Sequence, residues 1–135
     1  MRKFIPVVFV LCVAFGLIGH AYSKAPAIAC RLERVDSLIL PQPQAGVVSF
    51  GVQVKCKTVG NQQCSGVWYR LIVDANNNIV YSNADVITLE CGGQKMFGCN
   101  VAANPNWFGN GYKASQMVYD EATWLEIVSD GPVPL

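Results

Sequence analysis

The sequence predicts an all-β protein: a small disulfide-containing β-sandwich, or a small barrel, of about seven or eight short strands. Three observations lead to this prediction. Apolar and polar residues alternate with a period of two in several runs, residues that form turns separate those runs, and no segment carries an apolar stripe with helical spacing.

Residues 47–57 give the clearest alternation. Their even positions are apolar, while lysines and other polar residues occupy most of the odd positions. This pattern is typical of a strand with one face in the core and one in solvent. The residues predicted to point inward are Val48, Phe50, Val52, Val54 and Cys56.

Residues 67–74 form a second predicted strand, followed by a turn at 75–78. The three consecutive asparagines of this turn tolerate left-handed backbone angles and bond their own backbone, which favours a hairpin. We expect one face of the strand to lie in the core and the other to lie outside. The expected core face carries Val67, Tyr69, Leu71 and Val73, and the expected outer face carries Trp68, Arg70, Ile72 and Asp74.

The remaining strands are predicted from shorter runs. Residues 79–82, 85–91 and 123–129 alternate clearly, with Ile87, Leu89 and Cys91 expected to point inward. Weaker signals predict strands at 28–35, 96–101 and 115–119.

The first 23 residues read as a cleaved secretion signal. Arg2 and Lys3 supply a positive start, residues 4–19 are apolar, and residues 21–23 place small residues where a signal peptidase cuts. Residues 24–135 then form a single β-rich domain, which we expect to be secreted or periplasmic and to have no membrane association after cleavage.

The composition of residues 24–135 excludes several classes of function. Eight basic and nine acidic residues give a net charge of −1, and without a basic run nucleic acid is not an expected partner. The one histidine, His20, lies in the signal, which excludes histidine-based catalytic triads and histidine-ligated metals. We therefore expect no cofactor, no metal and no enzymatic activity.

Two acidic patterns suggest chemistry only weakly. Asp74, Asn76, Asn78 and Asp85 have the spacing of a calcium loop, but Ile79 stands where such a loop needs glycine, so a hairpin turn is predicted instead. Asp120, Glu121 and Glu126 could supply a glycosidase-type acid and base, but a solvated strand edge is the preferred interpretation.

Five cysteines remain after the signal. Cys56 and Cys64 enclose seven residues, as do Cys91 and Cys99, so these four are the disulfide candidates. The predicted core face of residues 67–74 would place Cys64 opposite to Cys56, which disfavours that pair and leaves a Cys56 to Cys91 bridge open. Cys30 is predicted to be left over, either as a buried thiol or as the link of a disulfide-bonded dimer.

Residues 104–112 are the preferred binding loop. Proline, asparagine and glycine keep this segment irregular, yet it carries three aromatic side chains. Sugar rings stack on aromatic planes while amides bond hydroxyls, so we expect a module that binds a glycan or a protein surface. The alternative is that the aromatic residues plug one end of the sandwich. The candidate ligand-binding residues are Asn106, Trp107, Phe108, Asn110 and Tyr112.

A second functional hypothesis is a secreted inhibitor or effector. In that case a disulfide-bounded loop, residues 57–63 or 92–98, enters the cleft of a partner enzyme or receptor. The second of these loops would present Lys95, Met96 and Phe97.

Overall fold

The computed structural model describes residues 30–58 and 62–135, so the predicted signal at 1–23 lies outside the described residues. Seven β-strands and one short 3-10 turn, Pro105–Trp107, make up the regular structure of the described ranges. None of those residues forms a helix with the length and apolar character needed to cross a bilayer. The strands are β1 (Cys30–Gln42), β2 (Val47–Thr58), β3 (Cys64–Val73), β4 (Ile79–Leu89), β5 (Gln94–Ala102), β6 (Lys113–Asp120) and β7 (Glu126–Pro134).

The strands form two antiparallel sheets, which confirms the predicted sandwich. The first sheet has the order β1-β2-β5 and the second has the order β4-β3-β6-β7. The sheets do not close into a barrel. The segments predicted at 79–82 and 85–91 join into the single strand β4, and the three weaker predictions correspond to β1, β5 and β6.

The core lies between the two sheets, and β2 supplies much of it. All of its five predicted inward residues are buried. Ile87 and Leu89 of β4 are also buried, as predicted, whereas Cys91 lies in the turn after the strand and is only half-buried.

The predicted orientation of β3 is wrong. Trp68, Arg70 and Ile72 point into the core, and the alternate residues from Val67 to Val73 are only partly buried on the outer face. The alternation of apolar and polar residues could not identify the buried face of β3, because both faces of this strand carry apolar side chains. The outer face is covered by its neighbours on β6: Tyr69 makes an edge-to-face contact with Tyr119, at 5.8 Å between ring centroids.

A disulfide bond joins Cys56 to Cys64, with 5.4 Å between their Cα atoms. This corrects the expectation drawn from strand orientation, because Cys64 points inward and meets Cys56 across the two sheets. Closing a loop of this length stabilises the fold by about 2.6 kcal/mol on a chain-entropy estimate. The other two disulfide candidates, Cys91 and Cys99, do not bridge each other, and the Cys56 to Cys91 bridge that the sequence left open is not formed.

The turn between β3 and β4 is a hairpin organised by Asp74. Its carboxylate accepts hydrogen bonds from the backbone N–H of Asn78 at 2.9 Å and of Asn76 at 2.8 Å. Asn77 adopts the left-handed conformation, with φ of 66°. The backbone hydrogen bond from Asn78, together with that from Asn76, lowers the pKa of Asp74 below its ordinary value of 3.8.

This turn predicts a pH dependence of stability. Because the pKa of Asp74 is lower in the folded chain than in the unfolded chain, its contribution is present above about pH 4 and is lost as the pH falls through the folded value. Below that pH the melting temperature of the parent is expected to fall more steeply than that of Asp74→Asn. Thermal melts of both proteins across an acid series check this, and parallel curves would contradict it.

Candidate functional site

The loop of residues 104–112 runs from β5 in one sheet to β6 in the other, and internal hydrogen bonds fix its backbone. The side-chain oxygen of Asn104 accepts from the backbone N–H of Asn106 at 2.9 Å, and Pro105 begins the 3-10 turn. The side chain of Asn110 donates to the carbonyl of Asn106 at 2.6 Å. The N–H of Gly109 donates to the carbonyl of Leu135 at 3.0 Å, which ties the loop to the end of the chain.

The loop brings two of the predicted aromatic residues together. The rings of Trp107 and Tyr112 stack, with 5.8 Å between their centroids and 17° between their planes. Both rings, and Phe108, are half-buried and pack against the hydrophobic core. The aromatic cluster therefore covers one end of the core and also presents part of its surface to solvent.

The predicted amide residues divide into two groups. Asn110 uses its side-chain donors inside the loop, so it braces the backbone. Asn106 is exposed, and its side-chain amide makes no hydrogen bond to any other described residue. The exposed amide of Asn106 thus takes no part in holding the loop, whereas the amide of Asn110 supports it.

Most of the segment 92–98, the alternative binding loop, is part of a strand. Lys95, Met96 and Phe97 lie in the first half of β5, and no disulfide encloses them. The Lys95 ammonium lies 5.3 Å from the centroid of the Phe97 ring. The other segment, 57–63, is bounded by the Cys56 to Cys64 disulfide, but residues 59–61 lie outside the described part of the chain.

A polar cluster that the sequence did not predict lies inside the sandwich. Gln116 is completely buried and accepts a hydrogen bond from the indole N–H of Trp68 at 2.9 Å. Its amide nitrogen donates to the carboxylate of Asp130 at 2.8 Å and to the carbonyls of Gly51 at 3.1 Å and Leu38 at 3.2 Å. Gln116 therefore connects the β4-β3-β6-β7 sheet to β1 and β2 of the other sheet.

Arg70 lies beside this cluster with its side chain only 1% exposed. The guanidinium forms an ion pair with Asp85 and stacks over the ring of Trp68 at 4.2 Å. Burial alone would lower the pKa of Arg70, but hydrogen bonds with Asp85 and Tyr81 outweigh it, so the pKa is raised. The charge is therefore retained in the interior, although the Nε and Nη1 atoms have no acceptor among the described residues.

Asp120 is buried, which corrects its assignment to a solvated edge. Its carboxylate accepts from the backbone N–H of Leu32 at 2.8 Å, and from the backbone N–H and hydroxyl of Thr123 at 3.0 Å and 2.8 Å. Glu121 and Glu126 are exposed, as predicted. Asp120 is thus a structural link between β6 and β1, and its polar contacts are all within the fold.

The described residues contain no group of three or more histidine, cysteine, aspartate or glutamate side chains that could hold a metal ion. In particular, the side chain of Asp74 accepts hydrogen bonds from the turn that follows it.

Comparisons with known proteins found similarity only among solved structures. No family model and no curated protein matches the chain. A β-glucuronidase of Bacteroides uniformis is 11% identical with a TM-score of 0.45, and β-glucuronidase 2 of the same organism, covalently bound to cyclophellitol-6-carboxylate aziridine, is 8% identical with a TM-score of 0.42. Each alignment covers 76% of this chain and 12% of the glucuronidase.

A structural genomics target, SoR45, is 15% identical with a TM-score of 0.32, and the alignment covers 76% of this chain and 82% of the target. This chain thus spans about an eighth of the length of the two glucuronidases.

Proposed function

We propose that this chain is an exported binding module that recognises a carbohydrate through residues 104–112. The observation that carries the proposal is the stack of Trp107 on Tyr112, held half-exposed in a loop whose backbone is braced by its own side chains. The proposed activity is binding without catalysis, and the proposed location is secreted or periplasmic, where a disulfide such as Cys56 to Cys64 persists.

The chemistry of the loop favours a neutral sugar. An exposed aromatic ring offers an apolar plane to the C–H face of a sugar, and the free amide of Asn106 can both donate to and accept from hydroxyl groups. Residues 104–112 contain no charged side chain. Because the loop is already ordered by hydrogen bonds, little conformational entropy is lost when a ligand binds.

Binding of the secreted protein to a panel of neutral and acidic glycans tests the proposal. The Trp107→Ala variant is expected to lose about tenfold or more in affinity, because it removes the stacking plane. The matched control is Trp124→Ala, which removes a half-buried tryptophan from the β6–β7 turn and is expected to bind as the parent does. Circular dichroism and thermal melts confirm that each variant is folded.

Asn106→Ala provides a second variant that leaves the aromatic stack in place. It removes an exposed amide with no structural partner among the described residues, so weaker binding would report on contact with the ligand. If the parent binds no glycan, or if Trp107→Ala binds as tightly as the parent, the carbohydrate proposal is wrong.

A further inference from the structure

The guanidinium of Arg70 has two hydrogen-bond donors that the fold does not satisfy. The side chain is 1% exposed, and its Nη2 atom pairs with the carboxylate of Asp85. Within the described residues, Nε and Nη1 of Arg70 are the buried side-chain nitrogen and oxygen atoms that lack a hydrogen-bond partner. A buried donor loses its hydration without compensation unless an acceptor replaces the water. These two atoms therefore favour the arrival of an acceptor beside Arg70.

The thiol of Cys99 lies next to this guanidinium. Cys99 is directly opposite Phe50 in the pairing of β5 with β2, and Phe50 is buried, so Cys99 also points between the sheets. The thiol is free and half-buried, so part of it is open to solvent. Burial alone would lower the pKa of Arg70, but hydrogen bonds with Asp85 and Tyr81, and then a negative charge on the Cys99 sulfur, raise it. A negative charge at Cys99 and the guanidinium thus stabilise each other.

The surroundings of Cys30 are the opposite. Burial raises the pKa of the Cys30 thiol, and the negative charges of Asp120 and Cys91 raise it further. The same thiol donates to the carbonyl of Gln63 at 3.0 Å. Because the thiolate is the nucleophilic form of cysteine, Cys30 is a poor nucleophile. Cys99 combines partial exposure with a neighbouring cation, which is typical of reactive cysteines.

We propose that Cys99 is a site of oxidation by hydroperoxides, and that the oxygen added to its sulfur accepts hydrogen bonds from Nε and Nη1 of Arg70. With hydrogen peroxide, the Cys99 thiolate attacks one oxygen atom, the O–O bond breaks and hydroxide leaves. The hydroxide takes the proton of the new sulfenic acid to give water, which leaves a sulfenate on Cys99. The sulfur is oxidised and the peroxide is reduced. Residues 104–112 take no part, so the proposal is independent of the carbohydrate site.

Trapping of the sulfenic acid in the secreted protein tests the oxidation step. The parent, with its Cys56 to Cys64 bridge intact, is treated with hydrogen peroxide and dimedone, a carbon nucleophile that captures sulfenic acids, and the adducts are located by peptide mapping. Cys99 is expected to be labelled about tenfold or more faster than Cys30. Arg70→Met is expected to remove this advantage. Arg34→Met, which replaces an exposed arginine of β1, is the matched control and is expected to label as the parent does.

A second pair of variants tests the acceptor without any oxidation. The carboxylate of Cys99→Asp carries the oxygen atoms and negative charge of an oxidised sulfur, whereas Cys99→Asn has the same shape and no charge. Because hydrogen bonds between charged partners are the stronger ones, Cys99→Asp is expected to melt about 4 °C or more above Cys99→Asn. When Arg70→Met is added to both, this difference is expected to disappear.

The two experiments decide the proposal separately. Faster labelling of Cys99 than of Cys30, together with the higher melting temperature of Cys99→Asp, supports it. Equal labelling of the two thiols in the parent overturns it, and so does a Cys99→Asp variant that melts no higher than Cys99→Asn. Both of these comparisons retain Arg70, so they decide the question even if Arg70→Met does not fold.

Discussion

Replacing Asp120 by alanine is expected to lower the free energy of unfolding by about 3 kcal/mol. The carboxylate is 1% exposed and accepts three hydrogen bonds, one from the backbone of Leu32 and two from Thr123. Alanine would leave the buried N–H of Leu32 without its acceptor and would free the β6–β7 turn. Chemical denaturation followed by fluorescence measures the change.

Glu121→Ala is the control for this prediction, because Glu121 is the next residue and its side chain is exposed. It is expected to change the free energy of unfolding by no more than about 0.5 kcal/mol. Equal effects of the two substitutions would show that the buried hydrogen bonds of Asp120 do not stabilise the fold, and would contradict the prediction.

Replacing Gln116 by leucine is also expected to lower the free energy of unfolding by about 3 kcal/mol, although the two side chains are similar in size. Leucine cannot accept from the indole N–H of Trp68 or donate to Asp130 and the carbonyl of Gly51. These groups would then lie in the interior with fewer partners, and a buried polar group without a partner loses its hydration without compensation. Urea denaturation of the parent and the variant measures the loss.

Two further variants define the cause of that loss. Gln94→Leu makes the same chemical change at an exposed position of β5 and is expected to have an effect within about 0.5 kcal/mol. In the double variant Trp68→Phe/Gln116→Leu, the indole N–H is absent, so the combined loss is expected to be smaller than the sum of the single losses. Strict additivity would mean that the Trp68 to Gln116 hydrogen bond contributes little.

Both predictions concern the attachment of one sheet to the other. Asp120 connects β6 to β1, and Gln116 connects β6 to β1 and β2. The loop of residues 104–112 enters β6 at Lys113, only a few residues before these contacts. The polar interior therefore fixes the strand on which the proposed carbohydrate site is mounted, as a rigid scaffold does for a functional loop.

Much of the fold could be predicted from local patterns. The period-two alternation of residues 47–57 gave the correct buried face of β2, and the three asparagines after Asp74 gave the correct hairpin. The number of strands and the sandwich architecture followed from the same signals. These features depend on side-chain direction and turn chemistry within a few residues, which a sequence contains explicitly.

The candidate site could be predicted only as a segment. Its aromatic and amide composition marked residues 104–112, but the pairing of Trp107 with Tyr112 depends on how the loop folds back between the sheets. Local sequence also does not show which of the two amides, Asn106 or Asn110, bonds to the loop backbone, because that too depends on how the loop folds. The prediction that Lys95, Met96 and Phe97 form a loop was wrong because it assumed a disulfide enclosing residues 92–98, whereas pairing with β2 makes most of the segment a strand.

The sequence by itself determined the class of the fold, the positions of most strands and the hairpin at Asp74, since these follow from periodicity and local backbone preference. The tertiary structure alone decided which face of β3 is buried, which cysteines pair, and that Arg70, Gln116 and Asp120 lie inside. The physical reason is that a polar or charged side chain can be buried when distant residues supply its hydrogen bonds and counter-charge. Strand pairing within one sheet brings Asp85 to Arg70 and Trp68 to Gln116, and the packing of the two sheets brings Leu32 to Asp120.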